Sequence, residues 1–167
     1  MTETVYMKEN NPFPNNTLPV LYYSEVLTEL IRGSNSGQNV LNMFEENGYS
    51  NGWVNGIFSY HHFHSNTHEV LGCIAGEAQV QLGGPGAEIY TFKKGDVLLL
   101  PAGIAHKKIE STADFSIVGA YPEGLSPDKQ TGSEEEYEII QNRIKSLAVP
   151  KYDPVEGEKG AVKKYWN

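Results

Sequence analysis

Four of the five histidines fall between residues 61 and 68, as His61, His62, His64 and His68, and the fifth, His106, lies at the end of a later strand. Two side chains two apart on an extended chain point to the same side, so His62 and His64 can face one interior. The turn at Ser65-Asn66-Thr67 lets the next strand return beside them, bringing His68 or Glu69 to the same region. His106 must come from elsewhere in the sheet, which a closed sheet allows because neighbouring strands lie about 5 Å apart. Neutral imidazoles with one carboxylate suit a divalent first-row ion such as Mn, Fe, Co, Ni, Cu or Zn. Three imidazoles and a carboxylate fill four positions of an octahedral ion, and the two left open suit a bidentate substrate, or a substrate and dioxygen.

Strand alternation sorts the neighbours. If Glu69 faces inward, His68 turns to the opposite face as a hydrogen-bonding residue between layers, unless a bulge reverses the order. His61 alternates out of the His62/His64 face. Tyr60 shares that face, either as an aromatic core filler or as a phenol beside the open metal positions. Cys73, four residues after Glu69, lies on the Glu69 face as a small buried hydrophobe or, alternatively, a substrate-facing thiol. Tyr60, Cys73 and His68 are thus the candidate pocket-lining residues. Lys108 and Glu110 share the His106 face on a regular strand, where they pair or sit at the mouth.

The elements that must position these groups are short strands. From Trp53 to Tyr121 the runs WVNGIFSYHHFH, HEVLGCIA, EAQVQL, EIYTF, DVLLL, AHKKIE and DFSIVGAY are separated by Gly and Pro turn signals, a pattern that predicts an antiparallel sandwich or small barrel. Before them, residues 1–17 read as an arm, Leu18 to Tyr23 as a strand, Ser24 to Arg32 as a helix with apolar spacing, and Asn39 to Asn47 as a second short helix. After them, Ser133 reads as the cap of a C-terminal helix whose first turn holds Glu134, Glu135 and Glu136. Its apolar stripe is Tyr137, Ile140, Ile144 and Leu147, and a tail follows that ends on Tyr165 and Trp166 and is expected to lie against the barrel.

The chain has 167 residues and a formal net charge of −8, which argues for one domain and against nucleic acid, whose binding runs on Lys and Arg. The single cysteine, Cys73, excludes an internal disulfide. No apolar run approaches a membrane span, and the polar N-terminus lacks a signal-peptide layout, so a soluble cytoplasmic protein is the expectation.

Gly56-IFSYHHFHSNTHEVLGCIA-Gly76 resembles the first cupin motif at every fixed position, and Gly95-DVLLLPAGIA-His106 the second. More narrowly, YHHFHSNTHEVLG, LPAGIAH, GAYPEG and the DPVEGEKG…W tail resemble the YjlB-like cupins, small single-domain bacterial proteins. The resemblance implies a mostly β antiparallel cupin (jelly-roll) barrel spanning residues 1–167, with an arm and short helices over 1–52, both motifs in a core over 53–121, and a C-terminal helix and tail over 122–167. It implies one divalent transition metal ion held by His62, His64, Glu69 and His106, and a homodimer. One position departs from the second motif: Glu110 stands where Asn is usual, a site that is not a ligand. The implied function is a metal-dependent enzyme, dioxygenase-like or isomerase-like, acting on a small polar organic molecule chelated to the ion. The alternative is a non-catalytic cupin that binds or senses a sugar or organic acid.

Overall fold

In a computed structural model describing residues 1–167, the strand-like runs form two facing antiparallel sheets. In chain order the elements are β1 (Thr2–Val5), β2 (Val20–Tyr23), α1 (Ser36–Glu46), β3 (Tyr49–Asn55), β4 (Glu69–Ala75), β5 (Glu77–Leu82), β6 (Ile89–Lys93), β7 (Val97–Leu100), β8 (His106–Ser111), β9 (Ser116–Pro122), α2 (Tyr137–Lys145) and α3 (Ala161–Tyr165). Six strands form one sheet in the order β1-β2-β7-β4-β9-β3, and three form the other in the order β6-β5-β8. This is a jelly roll whose ladders do not close into a continuous barrel. No helix is long and apolar enough to cross a membrane.

The alternation of β4 explains how the layers share it. Leu71 and Cys73 face the space between the sheets, with Leu98, Leu100 and Ile117 from the flanking strands and Val80 and Leu82 from the opposite sheet. Val70 faces the other way, into a second core with Val40 and Phe44 of α1 and Trp166 of the tail. All four residues of β7 are buried because both faces of its sheet are covered. The C-terminal helix closes a third, smaller cluster through Ile140 and Ile144.

Four sequence expectations are corrected or narrowed. Of an unstructured or a surface-laid arm, residues 1–17 form the second and add a strand to it: Thr2–Val5 pairs antiparallel with β2, and buried Asn15 donates to the carbonyls of Lys8 (2.7 Å) and Gly83 (3.0 Å) and accepts from Ala105 N–H (3.1 Å). Ser24 to Arg32 forms turns, not a helix. Two of its backbone donors go to the turn before β7, Glu25 N–H to Asp96 (2.8 Å) and Leu27 N–H to Gly95 O (2.9 Å), and a single helical bond, Ile31 N–H to Leu27 O (3.1 Å), is all that forms, so the apolar spacing reports burial of Leu27 and its neighbours. The run from Trp53 to His64 ends as a strand at Asn55. Beyond Gly56 the chain crosses to the opposite sheet and lies along β8, with Phe58 O accepting from Lys108 N–H (2.9 Å) and His62 exchanging both backbone bonds with His106 (3.2 and 2.9 Å). Finally, Glu134 to Glu136 precede α2, which starts at Tyr137, while Ser133 Oγ accepts from Glu136 N–H (3.4 Å).

The tail is fastened by Asp153, which is 1 % exposed. Its carboxylate accepts from the Tyr23 hydroxyl (2.7 Å) and from the N–H groups of Val155 (2.8 Å), Glu156 (2.9 Å) and Val162 (3.1 Å). Trp166 Nε1–H donates to Pro19 O (2.8 Å), which seats the indole in the core.

Candidate metal centre

His62, His64 and His106 converge: one ring nitrogen from each lies within 4.8 Å of the others. The exchange of backbone bonds between residues 62 and 106 sets two of them side by side, with ring centroids 4.0 Å apart. The turn before β8 needs Gly103, at φ +92°, where a Cβ would meet Asn15 O at 2.5 Å. Glu69 enters from β4, with Oε1 at 3.3 Å from His64 Nε2 and 3.4 Å from His106 Nε2, and is 3 % exposed.

Each ring is oriented from behind. Nδ1 of His62 faces Tyr60 O (3.0 Å), Nδ1 of His106 faces Ile104 O (2.9 Å) and Nδ1 of His64 faces Asp128 O. A carbonyl oxygen only accepts, so each Nδ1 carries the proton, and in the neutral rings each Nε2 presents a lone pair. Burial pulls His62 down to about 3, with neighbouring His106 pulling the same way. Burial also opposes charge on His64, but Glu69 and the Asp128 carbonyl outweigh it and raise its pKa. Burial works against the Glu69 carboxylate as well, yet His64 and His106 hold it well below the usual range. A proton on His64 Nε2 answers Glu69 alone. A divalent cation answers the whole set of convergent acceptors, and the backbone bonds behind the rings are the supports that metal-bound imidazoles use. The donor set fits a first-row divalent ion.

The cluster lies at the floor of a cavity of about 510 Å³. Its walls include Trp53, Ile57, Phe58, Leu71, Ile117 and Tyr121. Trp53 Nε1–H donates to the Tyr121 hydroxyl (2.7 Å), and the indole can lie flat on β9 because Gly119 has no Cβ, which would sit 2.2 Å from the ring. Burial, and then Glu69, keep the Tyr121 phenol protonated. Residues 126–130 form a strap across one side of the mouth. Asp128 anchors it by accepting from Ser65 N–H (2.7 Å), the Ser65 hydroxyl and Gln130 (2.9 Å), while Arg143 lies at 3.8 Å.

Glu69, not His68, faces this cluster. His68 is 4 % exposed on the other side of the sheet, against the Trp166 ring (5.0 Å). Its Nδ1 accepts from Ala102 N–H (2.9 Å), and Nε2–H donates to Ala148 O (3.1 Å). Burial, partly offset by that carbonyl, pulls its pKa down to about 4. His68→Ala therefore leaves metal stoichiometry intact but orphans two backbone groups, at about 3 kcal/mol or roughly 6–12 °C in Tm. Elemental analysis and a melting curve on one preparation check both parts.

The other two expected pocket residues are corrected. Tyr60 is 39 % exposed, stacked on Phe58 (5.0 Å), with its hydroxyl accepting from Lys129 (2.9 Å). The chain there is no longer a strand, so alternation does not carry Tyr60 inward. Cys73 does face between the sheets, but Leu71 and Ile117 line the pocket wall and Cys73 lies behind them in the apolar core. Burial pushes its thiol up to about 12, which leaves about one part in ten thousand as thiolate at pH 8. Iodoacetamide at that pH is expected to leave the native protein unmodified and to alkylate it fully in urea, as read by intact mass. His61 packs against Phe13 (5.7 Å), outside the cluster.

Lys108 and Glu110 part company. Val80 pairs with Lys108 but Gln79 pairs with Glu110, so Ile109 is an extra residue in β8. The bulge leaves Lys108 on the inward His106 face and turns Glu110 outward beside Gln79. Tyr121 and Asp128 are functional-site residues that the sequence does not single out, and Trp53, which reads from the sequence as an anchor of the barrel end, lines the pocket. The parity of Ile117 and Tyr121 on one strand signals the first, whereas no residue type announces the Asp128 carbonyl.

This two-sheet fold with its histidine cluster is that of a cupin, and residues 54–121 match that family. The chain belongs to the cupins of the YjlB group, being 36 % identical over 166 residues, 99 % of its length and 96 % of the relative's, to uncharacterized protein YjlB of Bacillus subtilis (strain 168). Solved structures are more remote. Acireductone dioxygenase from Bacillus anthracis, with cadmium in its active center, is 15 % identical at TM-score 0.46, over 65 % of this chain and 82 % of that one. Bacillus subtilis oxalate decarboxylase, with Mn(II) centers, is 16 % identical at TM-score 0.38, over 74 % of this chain and 30 % of that one.

Proposed function

We propose that this cupin is a metal-dependent enzyme, with a divalent transition ion held by His62, His64, His106 and Glu69, acting on a small polar organic molecule in the cavity above them. One observation carries the reading: three imidazoles, each tied through Nδ1–H to a backbone carbonyl, aim their Nε2 atoms at one another and at a buried carboxylate below an accessible pocket. When bound, such an ion supplies Lewis acidity and a template, and as Fe, Ni or Cu also redox chemistry. The chain's own residues do the rest. Trp53, Leu71 and Ile117 keep water from part of the cavity. The Tyr121 phenol, receiving the Trp53 N–H, keeps its own proton to donate at Glu69 or to a ligand oxygen. The Asp128 carbonyl fixes the His64 ring. These parts suit dioxygen insertion or a proton shift such as isomerisation.

Elemental analysis of protein purified without chelators or a metal-binding tag tests the reading. Near-stoichiometric Fe, Ni or Cu directs dioxygen-uptake assays, and Mn or Zn directs isomerase and lyase assays. No metal after reconstitution overturns the metal site, and ligand binding without turnover overturns the enzyme.

A further inference from the structure

Lys108 is a charge on the pocket wall that no neighbouring acid balances. It lies two residues beyond His106 on the same inward face, half-buried, with no carboxylate within 4.0 Å of its ammonium. Each acid that might answer it is engaged or turned away. Glu69 faces His64 and His106. Asp128 is occupied by Ser65, Gln130 and Arg143. Glu110, which an unbroken strand would place beside Lys108, is carried to the outer surface by the bulge at Ile109. The other cation at the mouth, Lys129, already donates to the Tyr60 hydroxyl and covers the Phe58 ring at 5.0 Å.

We infer that the pocket takes a small organic carboxylate with an apolar body, its anionic group recognised by Lys108. The inference rests on the metal reading above: among the lining side chains Lys108 and Lys129 offset Glu69 and Asp128, so the two charges of a bound ion leave the pocket positive. In a chain of net charge −8, this pocket is thus set apart as an anion site. The apolar body is read from the indole, phenyl and aliphatic walls. A carboxylate fits better than a phosphate. Phosphates are ordinarily held by arginine forks or clusters of backbone N–H groups, and the lining has no arginine and one free ammonium.

The test is isothermal titration of the full chain, reconstituted with Mn(II) and separately metal-stripped, with phenylacetate, phenylacetamide and benzylphosphonate. The loaded protein is expected to prefer phenylacetate to its amide by at least about tenfold. Lys108→Met abolishes that preference without changing amide binding or metal stoichiometry, and Lys108→Arg restores it. Equal binding of acid and amide, a preference that survives Lys108→Met, tighter binding of benzylphosphonate than of phenylacetate, or no binding of the acid up to about 10 mM overturns the inference. If the wild type takes up no metal, the metal reading fails by itself. The stripped protein then decides Lys108 alone: a preference for the acid that Lys108→Met removes sustains it, and equal binding ends it.

Discussion

His62→Ala and His106→Ala each purify without stoichiometric metal while keeping the far-ultraviolet circular dichroism of the wild type. Loss of metal follows from the donor count. Removing even a group behind a ligand costs about 10- to 100-fold in metal affinity, and removing the ligand itself costs more. Survival of the fold follows from how residues 62 and 106 are joined, through N–H and C=O groups that an alanine retains. The two effects are separable in a melting experiment. At a free metal concentration of about 100 Kd the wild type gains about 2.7 kcal/mol, or roughly 5–11 °C in Tm, and either variant gains nothing. Full metal occupancy in either variant would overturn the four-ligand assignment.

Asp153→Ala lowers Tm by roughly 8–16 °C and leaves metal binding unchanged. The Tyr23 hydroxyl and the Val162 N–H lose their acceptor inside the core, while the Val155 and Glu156 donors can turn to water. Two orphaned buried donors cost about 4 kcal/mol together, a large share of the stability of a domain this size. Asp153→Asn is not a rescue, because it puts an amide N–H₂ where one of the acceptor oxygens stood. Tail release exposes Trp166, so the variant shows a red-shifted tryptophan emission and earlier proteolysis near the C-terminus. A fall in Tm under about 2 °C would mean the turn at Asp153 does not hold the tail.

The histidine cluster was legible because its geometry depends on local parity. His62 and His64 share a side in any extended backbone, even though this stretch is no regular strand, and Glu69 at the first position of β4 points opposite to His68 just before it. Parity failed for Tyr60, where the chain is changing sheets, and for Glu110, beyond a bulge that no residue type signals. Apolar spacing misled between Ser24 and Arg32, since burial against a curved sheet can select the same positions as a helix. Thr2–Val5 became a strand through the vacant edge of β2, a tertiary opportunity invisible within the segment itself. The orienting contact on His64 comes from a main-chain oxygen that every residue possesses.

That main-chain oxygen makes one short segment serve two ends of the cavity. Pro127 and Lys129 line the mouth, and the residue between them steadies a ring of the histidine cluster. The width of the doorway and the aim of the His64 ring are therefore set by the same stretch of backbone, so a substitution that re-routes residues 127–129 alters both together.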